Sequence, residues 1–200
     1  MKGDMLMVTS FYSEEELKTL GLKSYGHNVL ISRKASIYGA ENISIGHDVR
    51  IDDFCILSGK ITLGSYIHIS AYTALYAGDA GISVGNFSSI SSRCVVYALT
   101  DDYSGQVLLN SMVPDEYKHI ISEKVIIDDY VNIGTGCTVF PGVHIAEGCA
   151  VWAMSMVSKS LKEWGVYFGI PCKRVIDRDR KMRELGEELL NKDSSSPSEQ

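Results

Sequence analysis

Residues 43–69, ISIGHDVRIDDFCILSGKITLGSYIHI, repeat every six positions. Counting from Ile45 gives Ile51, Leu57, Leu63 and Ile69, and the series runs on to Leu75. After a shift of three residues it continues as Val84, Ile90 and Val96; after a long interruption, as Ile127, Ile133, Val139, Ile145, Val151 and Val157. All fifteen positions are Ile, Leu or Val. An amphipathic helix would repeat at about 3.6 residues and a half-buried strand at about 2, so neither explains a strict six.

A second phase lies two residues before the first. It reads Ile43, Val49, Cys55, Ile61, Ile67 and Thr73, then Ile82, Ser88 and Cys94, then Val125, Val131, Cys137, Val143, Cys149 and Ser155. These are smaller or β-branched. Side chains two apart on a strand point the same way, so each hexapeptide is a very short strand sending one large and one small residue inward. Gly46, Gly64, Gly85 and Gly134 follow large residues and are expected to permit tight corners. Three strands make a triangular coil of 18 residues, and fifteen make about five coils. The coils stack with parallel strands roughly 4.8 Å apart. The fold class is thus all-β, a parallel β-helix. Cys55, Cys94, Cys137 and Cys149 fall in the small inward phase and read as buried thiols. Cys172 lies outside the phase and reads as packing.

The bulk numbers agree with one ordinary domain of 200 residues, 45% hydrophobic, with net charge −6. An acidic balance argues against a general nucleic-acid surface, though not against a local basic site. The N-terminal stretch lacks a signal-peptide pattern and no segment has the length of a membrane span, so the expected location is cytoplasmic. Five cysteines without a C-x-x-C pair make a poor disulfide framework.

Four segments leave the repeat. Ser13–Leu17 reads as the start of a short helix ending before Gly21, with Ser13 and Glu16 as a capping box. Ala77–Gly81 adds three residues to one corner, as a turn or bulge. Residues 99–124 are polar, punctuated by Gly and Pro, and aperiodic, which marks a functional loop. The C-terminus predicts a helix over 177–190 with Met182, Leu185 and Leu189 on one stripe, then a disordered SSSPSEQ tail. Between Lys159 and Arg183 there are eight basic residues against three acidic ones, either a solvated face or a phosphate site. The expected organisation is a helical lead-in over 1–24, the β-helix over 25–176 with its loop at 99–124, and helix and tail over 177–200.

Two strings, TVFPGVHIAEGCAVWAMSMVSKSL (138–161) and GIPCKRVI (169–176), resemble the last coils and the terminal segment of the hexapeptide-repeat acyltransferases, near the galactoside and maltose O-acetyltransferases. IDDFCILSGKITLGSYIHI with DDYSG is similar to the branch that decorates bacterial surface polysaccharides. The resemblance spans about Tyr25 to Arg178. It implies a left-handed β-helix, a homotrimer with sites between subunits, and acetyl-CoA as co-substrate. It places Ala153, Ser155 and Lys159 near the pantetheine arm, and Pro171, Lys173 and Arg174 near the adenosine and phosphates. The acceptor would be a nucleotide-linked or lipid-linked sugar.

One departure stands out. In VYALTDDYS, Asp101 takes the place of the family's catalytic His. A sugar hydroxyl needs a strong base, whereas a neutral amine is already nucleophilic, so a carboxylate leans toward an amine acceptor. Asp101 and Asp102 fit either that chemistry or a turn. Tyr103 could cover a sugar ring or anchor the loop, and His119 is a second loop candidate for substrate binding. His68 points outward between Ile67 and Ile69, as surface packing or as a base lent across a subunit interface; His144 has the same phase. Five histidines without ligand-like spacing predict no metal. The leading reading is an acetyl-CoA-dependent sugar acetyltransferase, slightly favouring an amino group. The alternatives are O-acetylation and a noncatalytic β-helix subunit.

Overall fold

The computed structural model describes residues 10–195. The fifteen large inward residues form three parallel ladders, one at each face of a left-handed prism. Ile51, Ile69, Ile90, Ile133 and Val151 are direct partners on the first face. Leu57, Leu75, Val96, Val139 and Val157 are partners on the second. Ile45, Leu63, Val84, Ile127 and Ile145 are partners on the third. All are buried, as are all fifteen residues of the smaller phase. The stack also extends one coil earlier than the strict six, with Tyr25, Ile31 and Ile37 opposite Ile45, Ile51 and Leu57. At the other end Leu161 and Tyr167 pair with Ile145 and Val151.

The polar members of the small phase are satisfied inside. Thr73 Oγ1 donates to the Ser91 carbonyl at 2.8 Å, and Ser88 Oγ accepts from the Val131 N–H at 3.0 Å. Cys94, Cys137 and Cys149 each aim Sγ at a carbonyl of a following coil at 3.1 Å. Burial pushes Cys55 and Cys149 up to about 11, so these thiols are unreactive filling.

The corner glycines have a different reason from the one expected. None of Gly46, Gly64, Gly85 and Gly134 has a positive φ. A Cβ on Gly46 would lie 2.4 Å from the Gly64 carbonyl oxygen, and one on Gly134 would lie 2.6 Å from the Ala153 nitrogen. They are small because the next coil passes over them. Aromatic residues such as Tyr66, Phe87 and Tyr130 take the left-handed positions and stack, Tyr66 on Phe87 at 4.6 Å and Phe87 on Tyr130 at 5.2 Å.

Helix α1 (Glu14–Thr19) begins with the expected capping box and buries Leu17. The extra residues of 77–81 lie inside one continuous strand, Ala74–Val84, bulged against Ile56–Leu63. The C-terminal helix α2 is Lys181–Ser195, later than expected, because residues up to Asp177 belong to a strand, Cys172–Asp177, antiparallel to Gly165–Gly169. Asp179 then accepts from the Lys181 N–H at 2.7 Å. The helix therefore enters the tail expected to be disordered; residues 196–200, and the apolar N-terminal stretch before residue 10, lie outside the described residues.

Candidate active site

The long interruption is not irregular throughout. Leu99–Asp101 pairs antiparallel with Ile120–Ser122, Asp101 opposite Ile120, and Asp115–Tyr117 makes one 3₁₀ turn beyond. This ribbon leaves the corner between the second and third faces and overhangs the second face. Between them is a cleft of about 860 Å³. Its floor carries Ser58, Tyr76 and Tyr97, the outward residues that follow Leu57, Leu75 and Val96. Tyr76 and Tyr97 stack at 5.5 Å, and burial pushes the Tyr97 phenol up, so it stays a donor.

Asp101 lines this cleft half-buried, and its carboxylate has no hydrogen-bond partner among the described residues. Tyr103 stands at the rim, 80% exposed. Lys118, overlooked in the sequence, also lines the cleft; its side chain is only 14% exposed and pairs at 2.9 Å with Asp115, which is 94% exposed.

Asp102 and His119, expected to bind substrate, do not line the cleft and instead hold the ribbon together. Asp102 accepts from the Ser104 N–H at 2.8 Å and faces His119 Nδ1 at 3.2 Å, while its own N–H donates to the His119 carbonyl. The Ser104 bond, then His119, holds the Asp102 carboxyl below its ordinary range.

His68 lies on the first face, so one chain does not bring it to Asp101. Its Nε2 sits 2.8 Å from Asp52 Oδ2, and Arg50 Nε donates to Oδ1 of the same carboxylate at 2.7 Å. Burial pushes Asp52 up, but the bonds from Arg50 and His68 outweigh it and hold it low. His144 repeats this geometry on the third face, Nε2 to Asp128 Oδ2 at 2.7 Å.

The C-terminal residues divide sharply. Ala153 is exposed at a corner, flanked by exposed Trp152 and Met154. Ser155 points inward, with Oγ accepting from the Gly169 N–H at 3.1 Å, so its hydroxyl is not offered to a ligand. Pro171 sits in the turn of the Gly165–Gly169 and Cys172–Asp177 hairpin, exposed beside Phe168 and Ile170. The basic patch separates by residue type. Arg174 is taken up by Asp177 and the carbonyls of Glu163 and Trp164. Arg178 caps three carbonyls, those of Tyr130, Gly148 and Cys149, and Arg183 pairs with Glu147. Lys159, Lys162, Lys173 and Lys181 form no ion pair among the described residues. The side chains of the patch left without a partner among the described residues are thus lysines.

No protein-family model matches the chain. A dTDP-4-amino-4,6-dideoxy-D-glucose acyltransferase of Escherichia coli is 42% identical, over 88% of this chain and 93% of its own. The chain belongs to the hexapeptide-repeat acyltransferases. AntD, an N-acyltransferase from Bacillus cereus, solved with dTDP and 3-hydroxybutyryl-CoA, superposes with a TM-score of 0.92 at 54% identity, over 94% of this chain and 100% of that one. The galactoside O-acetyltransferase of Lactococcus lactis is 34% identical over 63% of this chain and 61% of its own. The resemblance to the galactoside and maltose enzymes is thus corrected: the nearer kinship is with acyltransferases of dTDP-linked amino sugars. The chain is an acyltransferase, and the noncatalytic alternative falls.

Proposed function

We propose that this chain acylates the amino group of a dTDP-linked amino sugar, taking the acyl group from a coenzyme A thioester. The observation that carries the reading is the uncommitted carboxylate of Asp101 in the cleft beneath the ribbon. A carboxylate is too weak a base to ionise a sugar hydroxyl, but it can receive the proton an amine sheds after attack. The relatives support the same acceptor. AntD has been solved with dTDP-4-amino-4,6-dideoxyglucose and coenzyme A together. Its solved variants alter an aspartate and a serine ten residues before it (94 − 84 = 10), a spacing shared here by Ser91 with Asp101 and by Ser92 with Asp102; of these two aspartates only Asp101 lines the cleft.

The amine nitrogen attacks the thioester carbonyl carbon and the C–S bond breaks. The nitrogen gives up one proton, received by Asp101, and the departing sulfur takes one up, leaving an amide and free coenzyme A. The stacked Tyr76 and Tyr97 give the sugar a flat apolar wall, which Tyr103 can close from the rim. Lys118 meets the diphosphate by turning from Asp115, whose exposure makes it a replaceable partner. The donor lies along the corner at Ala153, with Lys159 and Lys173 at the phosphates and the apolar ledge of Trp152, Met154, Phe168 and Ile170 beside it. That ledge and Leu108, Leu109 and Met112 on the ribbon are surface that neighbouring copies would cover in a homotrimer. Among the described residues no helix is long and apolar enough to cross a membrane. The natural setting is cytoplasmic supply of sugars for surface polysaccharide; a WbbJ protein of E. coli K12, 27% identical, is named for lipopolysaccharide biosynthesis.

Thiol release from acetyl-CoA and 3-hydroxybutyryl-CoA, with dTDP-4-amino-4,6-dideoxyglucose or its 4-hydroxyl counterpart as acceptor, tests this. Turnover with the amine and little with the hydroxyl is expected; preference for the hydroxyl, or no turnover with either, overturns it.

A further inference from the structure

Among the described residues, one group of three metal-ligating side chains stands outside the cleft: His27, His47 and Asp48. They come from a repeated tetrapeptide, Gly26-His27-Asn28-Val29 and Gly46-His47-Asp48-Val49, twenty residues apart and stacked on one corner of the first two coils. The Asp48 N–H donates to the His27 carbonyl at 3.0 Å, and Asn28 and Asp48 both adopt left-handed backbone. The two imidazoles lie parallel, centroids 4.8 Å apart, and Tyr66 packs edge-on against His47.

The ring stack alone would account for the histidines as two more layers of the corner column. The carboxylate between them does not follow from stacking. Asp48 Oδ2 lies 2.8 Å from His47 Nδ1 and 3.6 Å from His27 Nε2. Neighbouring ligand atoms of a tetrahedral zinc site, with bonds of about 2.0 Å, lie roughly 3.3 Å apart, between those two values; the imidazoles, parallel as they stand, would swing about their side-chain torsions to turn both ring nitrogens onto one ion. All three ligand atoms fall within 4.8 Å of one another. The other carboxylate oxygen accepts from Asn28 Nδ2 at 2.5 Å, which fixes the carboxylate as an outer-shell partner does in metal sites.

We propose that His27, His47 and Asp48 form a site for a borderline divalent cation of the zinc type, completed by water. The metal joins the first complete coil to the second, near the N-terminal end of the solenoid. Its role is structural, since none of its ligands lines the cleft.

Calorimetric titration of the chelator-treated full chain with zinc chloride tests the site. One equivalent is expected to bind and to raise the thermal midpoint. His47→Ala and Asp48→Asn should each weaken binding by about tenfold or more and abolish the thermal shift. His27→Gln, at a side chain 78% exposed, should do the same without disturbing the fold. No binding by the unaltered chain overturns the proposal, as does undiminished binding by the His27→Gln/His47→Ala protein, which would put the metal elsewhere.

Discussion

Two faces of the same prism are each roofed by a segment that leaves the repeat, and the two roofed spaces differ in chemistry. Helix α2 covers a space of about 490 Å³ on the first face, walled by Tyr66, Phe87, Tyr130, Met182 and Leu185. Its histidine, His68, is already bound to Asp52. The ribbon covers the larger space on the second face, with a free carboxylate, a tyrosine pair and a shielded lysine. A solenoid makes grooves wherever something overhangs it. What marks one as a site is a polar group the fold has left unsatisfied.

The largest effect is expected at that difference. Asp101→Asn should lower kcat by about 10²–10⁴-fold with the thermal midpoint unchanged, while His68→Gln stays within about threefold in the same assay. Comparable losses from both would mean the two faces act together across a subunit boundary. Beneath the faces the comparison should vanish. Leu75→Ala behind Tyr76 and Ile69→Ala behind His68 are both fully buried, and each should cost about 2–5 kcal/mol in denaturant unfolding. Lys118→Gln should raise KM for the sugar nucleotide about tenfold and leave KM for the CoA thioester alone. The smallest effect is a pH signature of the first face. Asp52 is held below its ordinary value in the fold, so its contribution is present above the ordinary carboxylate range and lost as pH falls through the lowered value. Asp52→Asn should therefore lower the thermal midpoint near neutrality and converge with the unaltered protein in acid.

The fold was legible because one side-chain period controls everything inside: thirty positions assigned inward from the letters are all buried. Even the His–Asp pairs follow from the repeat. Ile51-Asp52-Asp53-Phe54 and Ile127-Asp128-Asp129-Tyr130 each precede an outward histidine by the same interval, 68 − 52 = 16 and 144 − 128 = 16. That is two short of a coil, so the histidine of one coil lands beside the aspartate of the one before. The site was only half legible. Asp101 emerged by setting it against a family histidine, not from spacing. Tyr76 and Tyr97 carry a signal, each following a large inward residue, but which face matters depends on where the ribbon folds. The ribbon's direction comes from aperiodic pairing of Leu99–Asp101 with Ile120–Ser122. The basic patch was legible only as a count of charges, because the letters do not show that Arg174, Arg178 and Arg183 are engaged by carbonyls and carboxylates.

The most direct test is a crystal structure with dTDP-4-amino-4,6-dideoxyglucose and coenzyme A bound. The account predicts the sugar in the cleft beneath the ribbon, its amine within hydrogen-bonding distance of Asp101 and its diphosphate against Lys118. A sugar seated under α2, with its amine on His68 and Asp101 left in solvent, would contradict it.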